Sequence, residues 1–162
     1  MTERSMSEPT VTHATFVIER SYAASPARVF AAFASRDAKA RWFQGPPDWP
    51  ASEHELDFRV GGRECVRGGP KGGSVHTFEA RYQDIVPNLR IISSYDMHLD
   101  DRRISVSLAT IELAPAGKGT RLTYTEQGAF LDGYDDAGRR EHGTRALLDK
   151  LDLALRRESA SA

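Results

Sequence analysis

Thr120-Arg121-Leu122-Thr123-Tyr124-Thr125-Glu126-Gln127-Gly128 reads as a β-strand, rich in Thr and Tyr and bounded by glycines. Successive strand side chains alternate faces, so Leu122, Tyr124 and Glu126 point the same way. If that face is the interior, Glu126 sits where an unpaired charge is costly, and it needs a partner, a proton or a chemical task. Downstream the period changes. After a turn-rich loop, Phe130 to Gly138, the stretch Arg139 to Arg157 puts Leu147, Leu148, Leu151, Ala154 and Leu155 on one helical face. Arg145, Asp149, Asp152 and Arg156 line the opposite face at spacings of three and four, a solvated side with ion pairs.

Upstream, the chain is strand-rich. Thr12 to Tyr22 alternates as a strand. Ser25 as cap, Pro26 at the first helical position and the apolar set Val29, Phe30 and Phe33 then predict a helix. A second short helix is expected over Asp37 to Trp42, followed by a Pro-rich loop, Gly45 to Pro50. Glu55 to Val60, the Gly61-Gly62 turn and Arg63 to Arg67 read as a hairpin. Strands are predicted over Val75 to Val86, Leu89 to Leu99 and Arg103 to Leu113, the last with Ile104, Val106 and Leu108 in phase. The order is strand, two short helices, about six antiparallel strands and one long helix, an α+β arrangement. A curved sheet with one apolar face must be covered, and only the C-terminal helix is long enough to cover it. A sheet wrapped around a single helix leaves a natural cavity between them.

Bulk properties narrow the functional classes. The 162 residues read as one domain: residues 12–157, flanked by a disordered tail over 1–11 and a frayed tail over 158–162. The net charge of −1, from 22 basic and 23 acidic residues, gives no basic excess to hold a phosphate backbone, so no nucleic-acid partner is expected. Cys65 is the only cysteine, which excludes an internal disulfide and suits a reducing compartment. No apolar run approaches the ~20 residues of a transmembrane helix, and no signal-peptide core opens the chain, so a cytoplasmic protein without a membrane partner is expected.

Four segments together resemble a known family. Ser25-Pro26-Ala27-Arg28-Val29-Phe30 resembles its Pro-x-x-Val-Phe helix opening, and Ala40-Arg41-Trp42-Phe43-Gln44-Gly45-Pro46 its Trp-aromatic-x-x-Pro segment. Asp57-Phe58-Arg59-Val60-Gly61-Gly62 resembles its Asp-x-Arg-x-Gly-Gly hairpin, and Gly119-Thr120-Arg121-Leu122-Thr123 the start of its last strand. The chain thus resembles the SRPBCC superfamily of START and birch-pollen-allergen proteins. Within it, the chain resembles the branch named after the activator of the heat-shock chaperone ATPase, which overlaps the polyketide cyclase-like proteins. The resemblance implies a helix-grip fold, a sheet of six to seven strands around the last helix. Family members include ligand carriers, a few enzymes and many proteins of unknown role. Gly143-Thr144 stands where members often have Gly-Trp. The eukaryotic activator's separate chaperone-contacting domain has no room in these 162 residues, so the family name does not transfer as an activity.

The expected cavity walls are Trp42, Phe43, Trp49, Phe58, Phe78, Tyr82, Tyr95, Met97, Val106, Tyr124, Phe130, Leu147 and Leu151, because pockets are lined mostly by apolar and aromatic groups. Trp42 and Trp49 bracket the Pro-rich loop, a candidate lid. Glu126 is a cavity carboxylate that places a ligand's polar end, or else an edge residue near the pocket mouth or one paired with an Arg to hold the last helix. On the first reading, Glu126→Gln leaves folding nearly intact and weakens binding. An enzyme, whether cyclase-like or hydrolase-like, would use Glu126 as general base with His142 or a Tyr as acid. The five histidines are scattered without i,i+4 spacing, so no metal and no cofactor is expected. Gly143 inside a helix costs ~1 kcal/mol, and close packing against a strand or the first helix is the expected compensation. The leading expectation is a binding module for a small, mostly apolar ligand. An enzyme ranks behind it, and an interaction protein, a chaperone partner or homodimer, ranks third.

Overall fold

The computed structural model describes residues 8–161, with side chains through Ser159. β1 (Val11–Tyr22) leads into α1 (Pro26–Ala34) and α2 (Arg36–Ala40). Then follow β2 (Glu53–Leu56), β3 (Arg63–Gly68), β4 (His76–Val86), β5 (Arg90–Leu99), β6 (Arg102–Ala116) and β7 (Gly119–Leu131), and α3 (Ala137–Ser161) ends the chain. All seven strands form one antiparallel sheet in the order β1-β7-β6-β5-β4-β3-β2. β1 therefore pairs with the last strand, and the helix pair α1–α2 carries the chain from one sheet edge to the other.

Local chemistry sets these bounds. Ser25 caps α1 by accepting from the Arg28 amide at 3.3 Å, with Pro26 in the first turn, and Ser35 caps α2 through the Ala38 amide at 3.2 Å. α2 is five residues, shorter than the expected Asp37-to-Trp42 helix, because the chain turns at Arg41 to bury Trp42. Trp42 donates its indole N–H to the Ala32 carbonyl at 3.0 Å. The core joins Phe16, Ile18 and Tyr22 of β1, Val29 and Phe33 of α1, Leu113 and Leu122 of the sheet, and Leu148, Leu151 and Leu155 of α3.

Several expectations shift. The first strand begins at Val11, paired with Leu131, and Thr10 exchanges hydrogen bonds with Asp132, so the tail expected over residues 1–11 is too long; residues 1–7 lie outside the described residues. At the other end α3 continues to Ser161 rather than fraying from 158, and Glu158 pairs with Arg28 of α1 and with Arg41 just after α2. Phe130 belongs to β7, not to a loop. The first arm of the hairpin ends at Leu56, so Asp57 to Val60 form part of the turn.

The largest correction concerns the faces of β6. Ser105, Ser107, Ala109 and Leu113 are buried, whereas Val106 and Leu108 are each 38 % exposed on the outer surface. The pairing jumps from Met97↔Ser105 to His98↔Arg103, leaving Ile104 as the extra residue of a bulge. Beyond that bulge the apolar phase Ile104-Val106-Leu108 no longer follows the interior, since a one-residue offset moves a side chain to the other face. Val106 is thus no cavity wall. Val106→Thr is expected to change stability by less than about 0.5 kcal/mol, whereas Leu151→Ala costs about 2–5 kcal/mol, both measured by urea denaturation.

Candidate functional site

Between the sheet and α3 lies a cavity of about 590 Å³. Its volume falls within the roughly 300–1,000 Å³ of small-molecule sites. Of the expected walls, Trp42, Phe43, Trp49, Phe78, Tyr95, Met97, Tyr124 and Leu147 line it. Phe78 packs on Phe43 and Tyr95, with ring centroids 5.1 and 4.8 Å apart, so the floor is a continuous aromatic surface. Trp49 stacks on His76 at 5.0 Å and closes the side formed by the Pro-rich loop.

The other expected wall residues do not face the cavity. Phe58 packs with Phe30 and Tyr82, Leu151 is fully buried in the core beneath α3, and Phe130 lies under the Arg140 guanidinium at 5.3 Å. His142 is exposed on α3, away from Glu126, which removes it as the acid partner. Gly143 borders the cavity, and a Cβ built there would meet nothing within 4 Å. The close packing expected to compensate for this helical glycine is absent, and open space takes its place.

Glu126 is completely buried. Its Oε2 accepts from Tyr95 Oη at 2.7 Å, Ser107 Oγ at 2.8 Å and Arg140 Nη1 at 3.1 Å, and its Oε1 accepts from Tyr124 Oη at 2.7 Å. The strand register brings these groups together: Tyr95 lies opposite Ser107, Ser107 opposite Gly128, and the small Ala109 opposite Glu126. Arg140, in the first turns of α3, also donates to Tyr95 Oη at 2.9 Å, Ser105 Oγ at 2.7 Å and Asp135 Oδ2 at 3.0 Å. All four terminal N–H groups of its guanidinium are therefore used. Burial works against the Arg140 charge, but Tyr95, Glu126 and Asp135 outweigh it and hold the group protonated. Burial, reinforced by Glu126, pushes the Tyr95 and Tyr124 hydroxyls well above their ordinary range, so both remain neutral donors.

This geometry corrects the general-base role. Glu126 is not among the cavity-lining residues, Tyr95 and Tyr124 shield it, and four donors already occupy its oxygens. It is the residue paired with an Arg that holds the last helix.

A second buried carboxylate escaped the sequence reading. Glu64 on β3 accepts from Lys39 Nζ and from Tyr82 Oη, each at 2.7 Å, and lies 2.7 Å from His54 Nε2. Burial would raise its pKa, but Lys39, His54 and Tyr82 together hold it down at about 2. Lys39 lines the cavity, with its ammonium 4.5 Å from the Phe43 ring centre. Nothing in the local pattern marks Glu64, because β3 alternates charges on both faces. Arg140 was more legible, as a basic residue opening the helix that must cover a buried acid. In both clusters the cation lines the cavity and the carboxylate lies behind it. Among the described residues no group of three or more His, Cys, Asp and Glu side chains could hold a metal ion, and no helix is long and apolar enough to cross a membrane.

A family model described as activator of Hsp90 ATPase homolog 1-like protein matches residues 23–156. The chain belongs to this family. Two solved structures of rhizobial proteins are similar over nearly their whole length. An uncharacterized protein from Rhizobium leguminosarum is 45% identical, with a TM-score of 0.89, covering 93% of this chain and 99% of its own. The Mll3558 protein from Rhizobium loti is 50% identical, with a TM-score of 0.83, covering 90% of this chain and 99% of its own. An AHSA1-like protein from Aeromonas hydrophila, at 19% identity and a TM-score of 0.69 over 90% of this chain and 94% of its own, shares the fold. No curated protein matches. Seven antiparallel strands and a long C-terminal helix thus carry the helix-grip architecture in this AHSA1-like chain.

Two measurements check the buried clusters. Glu126→Gln removes the fully buried one of Arg140's two carboxylate partners, leaving Asp135, and costs roughly 1–3 kcal/mol in urea denaturation, in contrast to the nearly intact folding expected from sequence. Glu64 titrates at about 2 when folded, against an ordinary value of 4.5. Its stabilisation, on the order of 3 kcal/mol, is complete above pH 4.5 and is lost as pH falls towards about 2. Stability measured across that window falls more steeply for the natural protein than for Glu64→Gln.

Proposed function

We propose that this protein binds a small, mostly apolar ligand in the cavity between sheet and α3. The observation that carries the reading is the cavity itself: about 590 Å³, walled by Trp42, Phe43, Trp49, Phe78, Tyr95, Met97, Tyr124 and Leu147 and left unfilled by them. A core packed for stability alone leaves few voids larger than a water molecule. The space opposite Gly143 supports the same reading, since a glycine inside a helix costs about 1 kcal/mol that an alanine would recover. The protein forgoes that stability at a position bordering the cavity.

Binding accounts for the geometry better than turnover does. Glu126 and Glu64 are both saturated by donors, and Tyr95, Tyr124 and Tyr82 are held protonated. A general base needs an accessible lone pair within reach of the substrate proton. Outside the sheet, Val17, Val106 and Leu108 are exposed but interleaved with Thr15, Thr125 and Gln127, so this face offers less to a macromolecular partner than the cavity offers to a ligand.

The neutral fluorescent probe N-phenyl-naphthylamine tests the proposal. It is expected to bind with a blue-shifted, enhanced emission, and Gly143→Leu, which places a side chain in the open space, is expected to weaken it at least about tenfold. The same substitution raises helix stability by about 0.8–1 kcal/mol, so the loss cannot be traced to unfolding. Absence of probe binding to the natural protein, or undiminished binding to the variant, rejects the cavity as a ligand site.

A further inference from the structure

The charged and phenolic groups of the inner cavity are already committed, which leaves the neutral Ser93 hydroxyl on its wall. Tyr95 and Tyr124 donate to Glu126, the terminal N–H groups of Arg140 are all used, and Lys39 is paired with Glu64 at 2.7 Å. A charged end pushed inward would find rings, the faces of satisfied cations and one neutral hydroxyl, Ser93, too little to replace its hydrogen bonds to water.

The rim differs. Arg139, Gly143, Ala146 and Lys150 lie along one side of α3 at spacings of four, three and four, and all border the cavity. They mark an opening about 16 Å long at 1.5 Å rise per residue. Arg139 is engaged by Asp136 at 2.8 Å. Lys150 is not engaged by a carboxylate among the described residues: its ammonium donates to the backbone carbonyls of Gln44 at 2.9 Å and Gly45 at 3.2 Å. It is half-buried, holds one N–H in reserve, and stands where α3 meets the Pro-rich loop. Of the four cations that border the cavity, Lys39, Arg139, Arg140 and Lys150, only Lys150 has no counter-charge among the described residues.

The geometry points to an amphipathic anion as the ligand class: an aliphatic or aromatic carboxylic acid whose apolar body fills the aromatic cavity and whose carboxylate lies on Lys150 at the rim. This inference rests on the cavity being a ligand site, and it adds the ligand's charge and orientation. A neutral ligand would leave Lys150 with carbonyl partners only. A cationic ligand would meet like charge at the opening.

Displacement of N-phenyl-naphthylamine separates the two levels. Decanoate is compared with decanol, and naphthoate with naphthalenemethanol, at pH 7 in low salt. The acids are expected to displace the probe about tenfold better than the matched alcohols, equivalent to about 1.4 kcal/mol. High salt should narrow the gap, because a rim charge is screened. Lys150→Met is expected to bring acid and alcohol level while the alcohols keep their affinity, and Lys150→Arg to retain the preference. Alcohols that displace the probe as well as the acids do in the natural protein overturn the inference and leave the cavity reading standing. So does an acid preference that survives in Lys150→Met. A probe that never binds removes both.

Discussion

The buried pair between Glu126 of β7 and Arg140 of α3 is the constraint on which the rest of the site depends. A carboxylate with no exposed surface cannot stay charged in a sheet interior without donors. Here strand register brings Tyr95, Ser107 and Tyr124 to it, and α3 supplies the counter-charge. Arg140 in turn reaches Ser105 on β6 and Asp135 just before the helix. One guanidinium thus ties the start of α3 to the central strands. An apolar contact would hold the helix down equally well, but without fixing its rotation; the fork of N–H donors satisfies these partners in a narrow range of positions.

Fixing that end of the helix accounts for the cavity. At the other end α3 packs through Leu148, Leu151 and Leu155 on β1 and α1, and the Tyr22 hydroxyl donates to the Leu148 carbonyl at 2.9 Å. Between the two anchorages the helix spans the sheet with small residues, Gly143 and Ala146, bordering the space. The second polar cluster, Glu64 with Lys39, Tyr82 and His54, anchors α2 to strands β2 to β4 in the same manner. The interior stays open because polar anchors at its margins hold the covering helices, so the middle need not collapse to make contact.

Fold and site were legible to different degrees, for physical reasons. Period and turn chemistry are local, so the order of elements could be read from capping residues such as Ser25, from the alternation of Leu122, Tyr124 and Glu126, and from the leucine stripe of α3. Phe78, Tyr95 and Tyr124 share the inner face of the sheet, whereas Trp42, Phe43 and Trp49 reach the cavity from the segment between α2 and β2. The β6 face was misread because its interior positions carry Ser105 and Ser107, serving Arg140 and Glu126, while Val106 and Leu108 face outward. A polar network replaces the apolar periodicity that would otherwise mark the inside. The Glu64 cluster was invisible for a related reason. The partners of Glu64 lie 10 to 25 residues from it in sequence and meet it only through tertiary pairing. The open space at Gly143 could not be read at all, since a glycine that allows close approach and one that leaves a void have the same sequence signature.

The arrangement separates what holds the fold from what can select a ligand. The two carboxylates and their cations are buried, mutually satisfied and costly to disturb, since removing one partner leaves buried donors or acceptors unpaired. The rim groups Gln44, Arg139, Gly143, Ala146 and Lys150 are exposed or half-buried and contribute little to the core. Substitutions there reshape the opening and its charge at small cost in stability, as surface changes ordinarily do. On the proposed binding reading, ligand choice can therefore vary at the rim while the inner shell stays constant. A change in what the cavity accepts is then reached most easily through α3 and the Pro-rich loop, not through the buried acid on β7.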